Sequence, residues 1–497
     1  MGNHQGAADL INRRISLPET DSHVGSLLAY SRFALQYDKV GEGLKGLLKS
    51  IVLDQHNKKT KEMLVKVLVT ENGFKELISQ IPPSVSSAAA YAFIGTIAKD
   101  YSAIDVTIKS YNTCLRFRPN SASYAINLIH AHEAIYDFRS AMKALVNFCK
   151  NNELLRVGSK GFSCLDLFNA LPNDIKNSKP KDYVPTEPKL AMTWVEDDDR
   201  GYSRVHSILK TDTGGYSIGP EVDGLYDPRI LNNHKEDYND ADLDLLAIGF
   251  TVIKLMFFEG RLADLPPLFR IIEPARRFSR ASPHTTLIRN EHSYYQCIAR
   301  VLDQRVYTSS LLENPKIAYS DPLYCPILLE AKQNPIYVVG DSHVMSPAWG
   351  IMTVNGKARL LIPRLVTGIK HWHLRKESNF YPKLNFEFAL KNVPDGSDVI
   401  FIIGEIDCRE GLLLATERDK YKNIGEGMDR TTSIFMDVLS SLVSKKKIKP
   451  YIHPVMPSNT NNINTNTNNI NTNINNINTN TNTISIEGNS SARFAIQ

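Results

Sequence analysis

The segment IYVVGDSHVMSPAW places an acid, a hydroxyl and an imidazole (Asp341, Ser342 and His343) directly behind an apolar run, Ile336 to Val339. Such a run reads as a buried strand, and Gly340 after it permits a tight turn. An α/β enzyme presents a nucleophilic serine in this way, although many ordinary strand-to-loop junctions share the composition. A serine nucleophile needs a base within roughly 2.6–3.2 Å. Neighbouring side chains on an extended link diverge, so His343 serves only where a turn folds it back. His453, in KPYIHPV, ends another apolar run, and Asp407 or Glu405 of GEIDCR is available to orient its second nitrogen. The constellation read from these residues is Ser342, His453 and Asp407, with Arg409 as a substrate-binding cation. The structural alternative makes Asp341, Asp407 and Arg409 a salt-bridged rim, with His453 merely packing before Pro454. Glu405, Asp407, Cys408 and His453 do not share a spacing that converges on an ion, so neither metal nor cofactor is expected. Cys408 has no cation near it in sequence except Arg409, which argues against a thiolate nucleophile.

These residues need a sheet to bring them together. IYVVG (336–340), ARLLIP (358–363), DVIFIIG (398–404) and KPYIHPV (449–455) read as four strands. Between the last two, Ile434, Val438, Leu439 and Leu442 recur at helical spacing. Strand, helix, strand is the unit of a mostly parallel sheet, whose ligands sit beyond the C-terminal ends of its strands. Ser342, GEIDCR and His453 would then share one edge.

With that placement, Gly340-Asp341-Ser342 resembles the first block of the SGNH (GDSL-type) hydrolase superfamily. The resemblance covers residues 335–457 and implies a three-layer, flavodoxin-like α/β domain that cleaves or transfers acyl esters, with Ser342 as nucleophile. It also implies a glycine N–H for the oxyanion hole, best matched by Gly368 in LVTGIKHWH, with the Gly340 backbone nearby. Gly404-Glu405-Ile406-Asp407 stands at the family's Gly-x-Asn-Asp block. Ile406 replaces the donating Asn, and losing one such donor costs on the order of 3 kcal/mol of transition-state stabilisation. The family's terminal Asp-x-x-His has no counterpart, since no histidine follows His453. The domain, 330–457, therefore reads as incomplete, and an Asn/Thr-rich low-complexity tail follows at 458–497.

The N-terminal region, 1–160, reads as helical repeats. Tyr91, Ile94, Gly95 and Ala98 share one face, and Tyr111 and Cys114 lie on a second helix. Ala125, Leu128, Ile129 and His132, then Ala141, Leu145 and Phe148, repeat the arrangement with an offset of 34 residues. This resembles tetratricopeptide repeats and implies a protein or peptide partner. Residues 161–240 read as an irregular linker containing a solvated acid run, Glu196 to Asp199, and glycines unsuited to phosphate binding. A second helical block spans 241–310.

A formal net charge of +5 on 497 residues, without a basic stripe, argues against nucleic acid. No apolar stretch approaches the roughly 20 residues of a membrane span. Six scattered cysteines and no visible leader pattern give a cytoplasmic expectation. The reading is thus an SGNH-like serine ester hydrolase or acyltransferase, acting on a small ester or acylated substrate and coupled to protein-binding repeats. Its alternative is an inactive scaffold with a degenerate hydrolase-like domain.

Overall fold

The computed structural model describes residues 23–177, 235–310 and 326–454. The N-terminal stretch MGNHQGAADL, the acid run Glu196 to Asp199, the glycine segment TGGYSIGPEVDG and the tail from 458 lie outside the described residues.

The first described residues form four helical hairpins. Helix α1 (Val24–Gln36) pairs with α2 (Val40–Leu53), α3 (Lys58–Leu68) with α4 (Gly73–Gln80), α5 (Ala88–Asp100) with α6 (Ile104–Phe117), and α7 (Ala122–Ala134) with α8 (Phe138–Asn151). The third and fourth hairpins superpose in sequence at the 34-residue offset, and the first hairpin begins 34 residues before the second. Tyr91, Ile94, Ala98, Tyr111, Cys114, Ala125, Leu128, Ile129, Ala141, Leu145 and Phe148 are all buried, as their spacing requires. Gly95 is small for a reason: a Cβ there would lie 3.1 Å from both Ser110 and the Tyr111 ring. Within three hairpins the turn contains a left-handed non-glycine residue, Asp38, Ser102 and Tyr136, with φ of 57°, 62° and 58°. Packing of this kind is repeat-like, each hairpin burying its open face on the next.

Short helices α9 (Cys164–Ala170) and α10 (Asn173–Asn177) follow, then α11 (Asp240–Phe258), α12 (Pro266–Phe278), α13 (Arg289–Ser310) and α14 (Pro326–Gln333). Asn239 and Asp242 form a reciprocal capping box that starts α11. Pro266 and Pro267 stand in the first turn of α12, where a missing N–H does least harm. Helix α11 is buried along most of its length, including Lys254. That ammonium lies 2.8 Å from Glu133 of α7 and 4.9 Å from the Tyr294 ring of α13.

The C-terminal part contains β1 (Ile336–Gly340), β2 (Ile351–Val354), β3 (Lys357–Leu365), α15 (Tyr381–Lys391), β4 (Asp398–Ile402), α16 (Leu412–Glu417), α17 (Ile424–Lys446) and β5 (Lys449–Ile452). The sheet order is β2-β3-β1-β4-β5. Strands β3, β1, β4 and β5 are mutually parallel, whereas β2 runs antiparallel to β3 and was not anticipated from sequence. Pro363 fits inside β3 because Leu361, two residues earlier, turns its N–H outward to the Gly350 carbonyl. Position 363 faces the same way, past the end of the β2 pairing at Leu360, so no ladder bond is lost. Gly340 meets a different demand from the tight turn foreseen for it. It remains within β1, and a Cβ would fall 1.9 Å from the Ile402 carbonyl oxygen of β4.

One face of the sheet packs with α15 and α17 through Val339, Phe386, Phe401, Phe435 and Leu439. The other joins a core that runs without interruption from Ala122 through α11 to Leu365. Trp349 Nε1 donates to the Phe257 carbonyl of α11 at 2.7 Å. Two repeat turns also reach this part of the chain: Ser102 donates to the Asn379 carbonyl at 2.8 Å, and the Tyr136 hydroxyl donates to Leu365.

Candidate functional site at the C-terminal ends of β1 and β4

Strand order reverses at β1. The chain passes from it to β3 on one side and later to β4 on the other, which makes the crevice beyond β1 and β4 the topological switch point. Asp341 leaves β1 at that crevice, anchored by its N–H to the Ile402 carbonyl at 3.1 Å. It caps a short 3₁₀ turn, Ser342–Met345. Its Oδ1 accepts from the His343 backbone N–H at 3.0 Å and lies 2.7 Å from His343 Nδ1. The turn therefore does fold His343 back, but onto Asp341. Asp341 is 1% exposed, and its Oδ2 has no hydrogen-bond partner among the described residues.

Glu405 arrives from β4 through Gly404, whose φ of 122° suits glycine alone. Donor atoms of Asp341, His343 and Glu405 lie within 4.8 Å of one another. Arg409, half exposed, holds Glu405 from the solvent side at 3.1 Å. Donation of a hydrogen bond to the Asp341 carboxylate raises the pKa of His343 against the effect of burial, and the charges of Asp341 and Glu405 add to it.

Asp407 does different work. It is buried, and its Oδ2 accepts the His371 backbone N–H at 2.8 Å. It thereby fixes the loop after β3 that carries Gly368, itself left-handed at φ 67°. The same loop is tied at Thr367, whose N–H donates to Asn385 Oδ1 at 3.1 Å. His371 stacks on Phe435 at 4.5 Å and 11°. Burial lowers the pKa of His371 and raises that of Asp407. Cys408 is held as a thiol, its pKa raised by partial burial and by the Asp407 and Glu405 charges.

His453 lies just past β5, two strand spacings or about 10 Å from β1. Its backbone N–H continues the ladder to Phe401, and its Nδ1 is 2.7 Å from the Pro454 carbonyl. Half-buried Ser342 makes no hydrogen bond to an imidazole among the described residues. Thus Ser342, Gly340, Asp341, His343 and Glu405 are brought together, with Arg409 at the rim. Asp407 faces the Gly368 loop, and His453 sits across β4.

No protein-family model, curated protein or solved structure matches the chain.

The site is defined by its own geometry. An acid behind an imidazole, with a hydroxyl between them in sequence and a second carboxylate opposite, can exchange protons or hold a polar ligand. Sequence reasoning overlooked Asp341, His343 and Glu405 as a unit. The local signal was the Asp-x-His spacing at a strand end; the contribution of Glu405 comes from strand pairing between distant segments. A separate cavity of about 180 Å³ lies between α7, α11, α13 and the end of β3, lined in part by Glu133, Lys254, Tyr294 and Thr367. No described helix is long and apolar enough to cross a membrane.

Proposed function

We propose that the crevice beyond β1 and β4 cleaves or transfers an acyl ester, with Ser342 as nucleophile, and that the helical hairpins bind a protein or peptide partner. The observation carrying this reading is the position of Asp341-Ser342-His343 at the end of the central strand, where the strand order reverses. The parallel strands, taken in chain order, lie 2-1-3-4 across the sheet. That order agrees with the flavodoxin-like arrangement expected of an SGNH-type domain. Backbone N–H groups around Gly340 and Gly368 are the proposed oxyanion donors, and Arg409 the cation at the substrate rim. The proton acceptor in this reading is His453 oriented by Asp407, or His343, which lies next to Ser342 in the same turn.

A fluorophosphonate probe separates these assignments. Wild-type protein should label, Ser342→Ala should not, and the histidine whose alanine variant also loses labelling is the base. Folded wild-type protein that fails to label removes Ser342 as an activated nucleophile. That result favours the scaffold reading, which has its own supporting observation: Ile406 offers no donor, and Asp407 already serves the backbone of the neighbouring loop.

A further inference from the structure

We propose that Asp341, His343 and Glu405 hold one divalent transition-metal ion at the mouth of the crevice. Two carboxylates and an imidazole form a mixed oxygen and nitrogen donor set, which suits zinc or manganese better than magnesium or calcium. Their donor atoms already lie within 4.8 Å of one another. Metal–ligand bonds of about 2.0–2.2 Å place neighbouring donors roughly 3.0–3.5 Å apart, so Glu405 closes in slightly while His343 Nδ1 and Asp341 Oδ1, now 2.7 Å apart, separate to admit the ion.

A group of acidic side chains on a surface would mean little. Here the central ligand is buried at 1% exposure, and one of its carboxylate oxygens, Oδ2, has no hydrogen-bond partner among the described residues. An ionised carboxylate left in that condition is costly. An ion held by both Asp341 oxygens would satisfy Oδ2 and would replace the proton between His343 Nδ1 and Asp341 Oδ1. Each ligand is also positioned by backbone. Asp341 is fixed by the Ile402 carbonyl, His343 by its turn, and Glu405 by the left-handed Gly404 and by Arg409.

The ion's role in turnover rests on the hydrolase reading, whereas its binding does not. A cation beside Ser342 would polarise an acyl carbonyl and take up the negative charge that Ile406 cannot receive. It also makes His343 a ligand and leaves the base role to His453.

The test is calorimetric titration of metal-free full-length protein with zinc chloride and manganese chloride, beside Asp341→Asn, His343→Ala and Glu405→Gln. We expect one ion per chain at micromolar affinity or tighter, weakened at least tenfold in each variant. Anomalous diffraction from zinc-soaked wild-type crystals locates the ion without any variant, so a misfolded mutant does not decide the matter. A peak among the three side chains supports the site. Absent binding, or zinc bound only at other histidines, overturns it. Fluorophosphonate labelling without metal binding keeps the hydrolase reading and removes the ion. Metal binding without labelling keeps the ion and removes the serine chemistry.

Discussion

Gly340 illustrates how a correct residue can be chosen for a reason invisible in one dimension. Sequence reading assigned it to a turn, but the structure needs it because β4 passes too close for a Cβ. Gly340→Ala should lower stability by about 3 kcal/mol or more, measured by denaturant unfolding, since the atom it meets is backbone and cannot rotate away. His343 yields a second prediction. In metal-free protein the hydrogen bond to Asp341 raises its folded pKa above the ordinary 6.5, so nuclear magnetic resonance should find its titration midpoint above that value. Asp341→Asn should return the midpoint toward 6.5. The sign for stability follows: the pair stabilises the fold below pH 6.5, and the contribution is lost as pH rises through the folded value. Asp407, by contrast, was legible as an important acid but not as the support of the Gly368 loop. Its partner, the His371 N–H, lies 36 residues away.

At the scale of elements, the central strands were readable because parallel strands covered on both faces are continuous apolar runs. Strand β2 was missed because its alternating residues Ile351 and Thr353 are exposed, leaving IMTV without a buried run. The third and fourth hairpins were readable from their repeat offset. What joins them to α11 was not. Lys254, a lone charge in an otherwise apolar helix, is the buried partner of Glu133. His130 lies 2.8 Å from the same carboxylate and 3.5 Å from Glu291 of α13. Burial works to raise the Glu133 pKa, but Lys254 and His130 prevail and hold it at about 2. Lys254→Ala should destabilise the protein by about 3 kcal/mol, because it leaves a buried carboxylate with only His130 beside it. Adding Glu133→Gln should recover part of that loss in a double-mutant cycle. In wild type the pair's contribution is present above pH 4.5 and declines as pH falls from there toward 2.

On the scale of the whole molecule, composition suggested separable regions, yet the core extends without a break from the last repeat hairpin through α11 to β3. A fragment of residues 330–457 alone would expose the sheet face that α11 and its neighbours cover, and lose the Trp349 bond to Phe257. Expressed alone, this fragment should aggregate or give a broad, non-cooperative thermal transition, while residues 23–457 should unfold as one unit in calorimetry. Ser102 and Tyr136 carry a further consequence. They occupy the same position in consecutive hairpins, both adopt a left-handed backbone, and both spend their hydroxyls on carbonyls of the C-terminal part. Repeat proteins usually evolve by duplicating, deleting or shuffling interchangeable units. Here the turns of the last two units are matched to one particular neighbour, so the array has lost its modularity at that end, and any growth by unit duplication must occur at its N-terminal side.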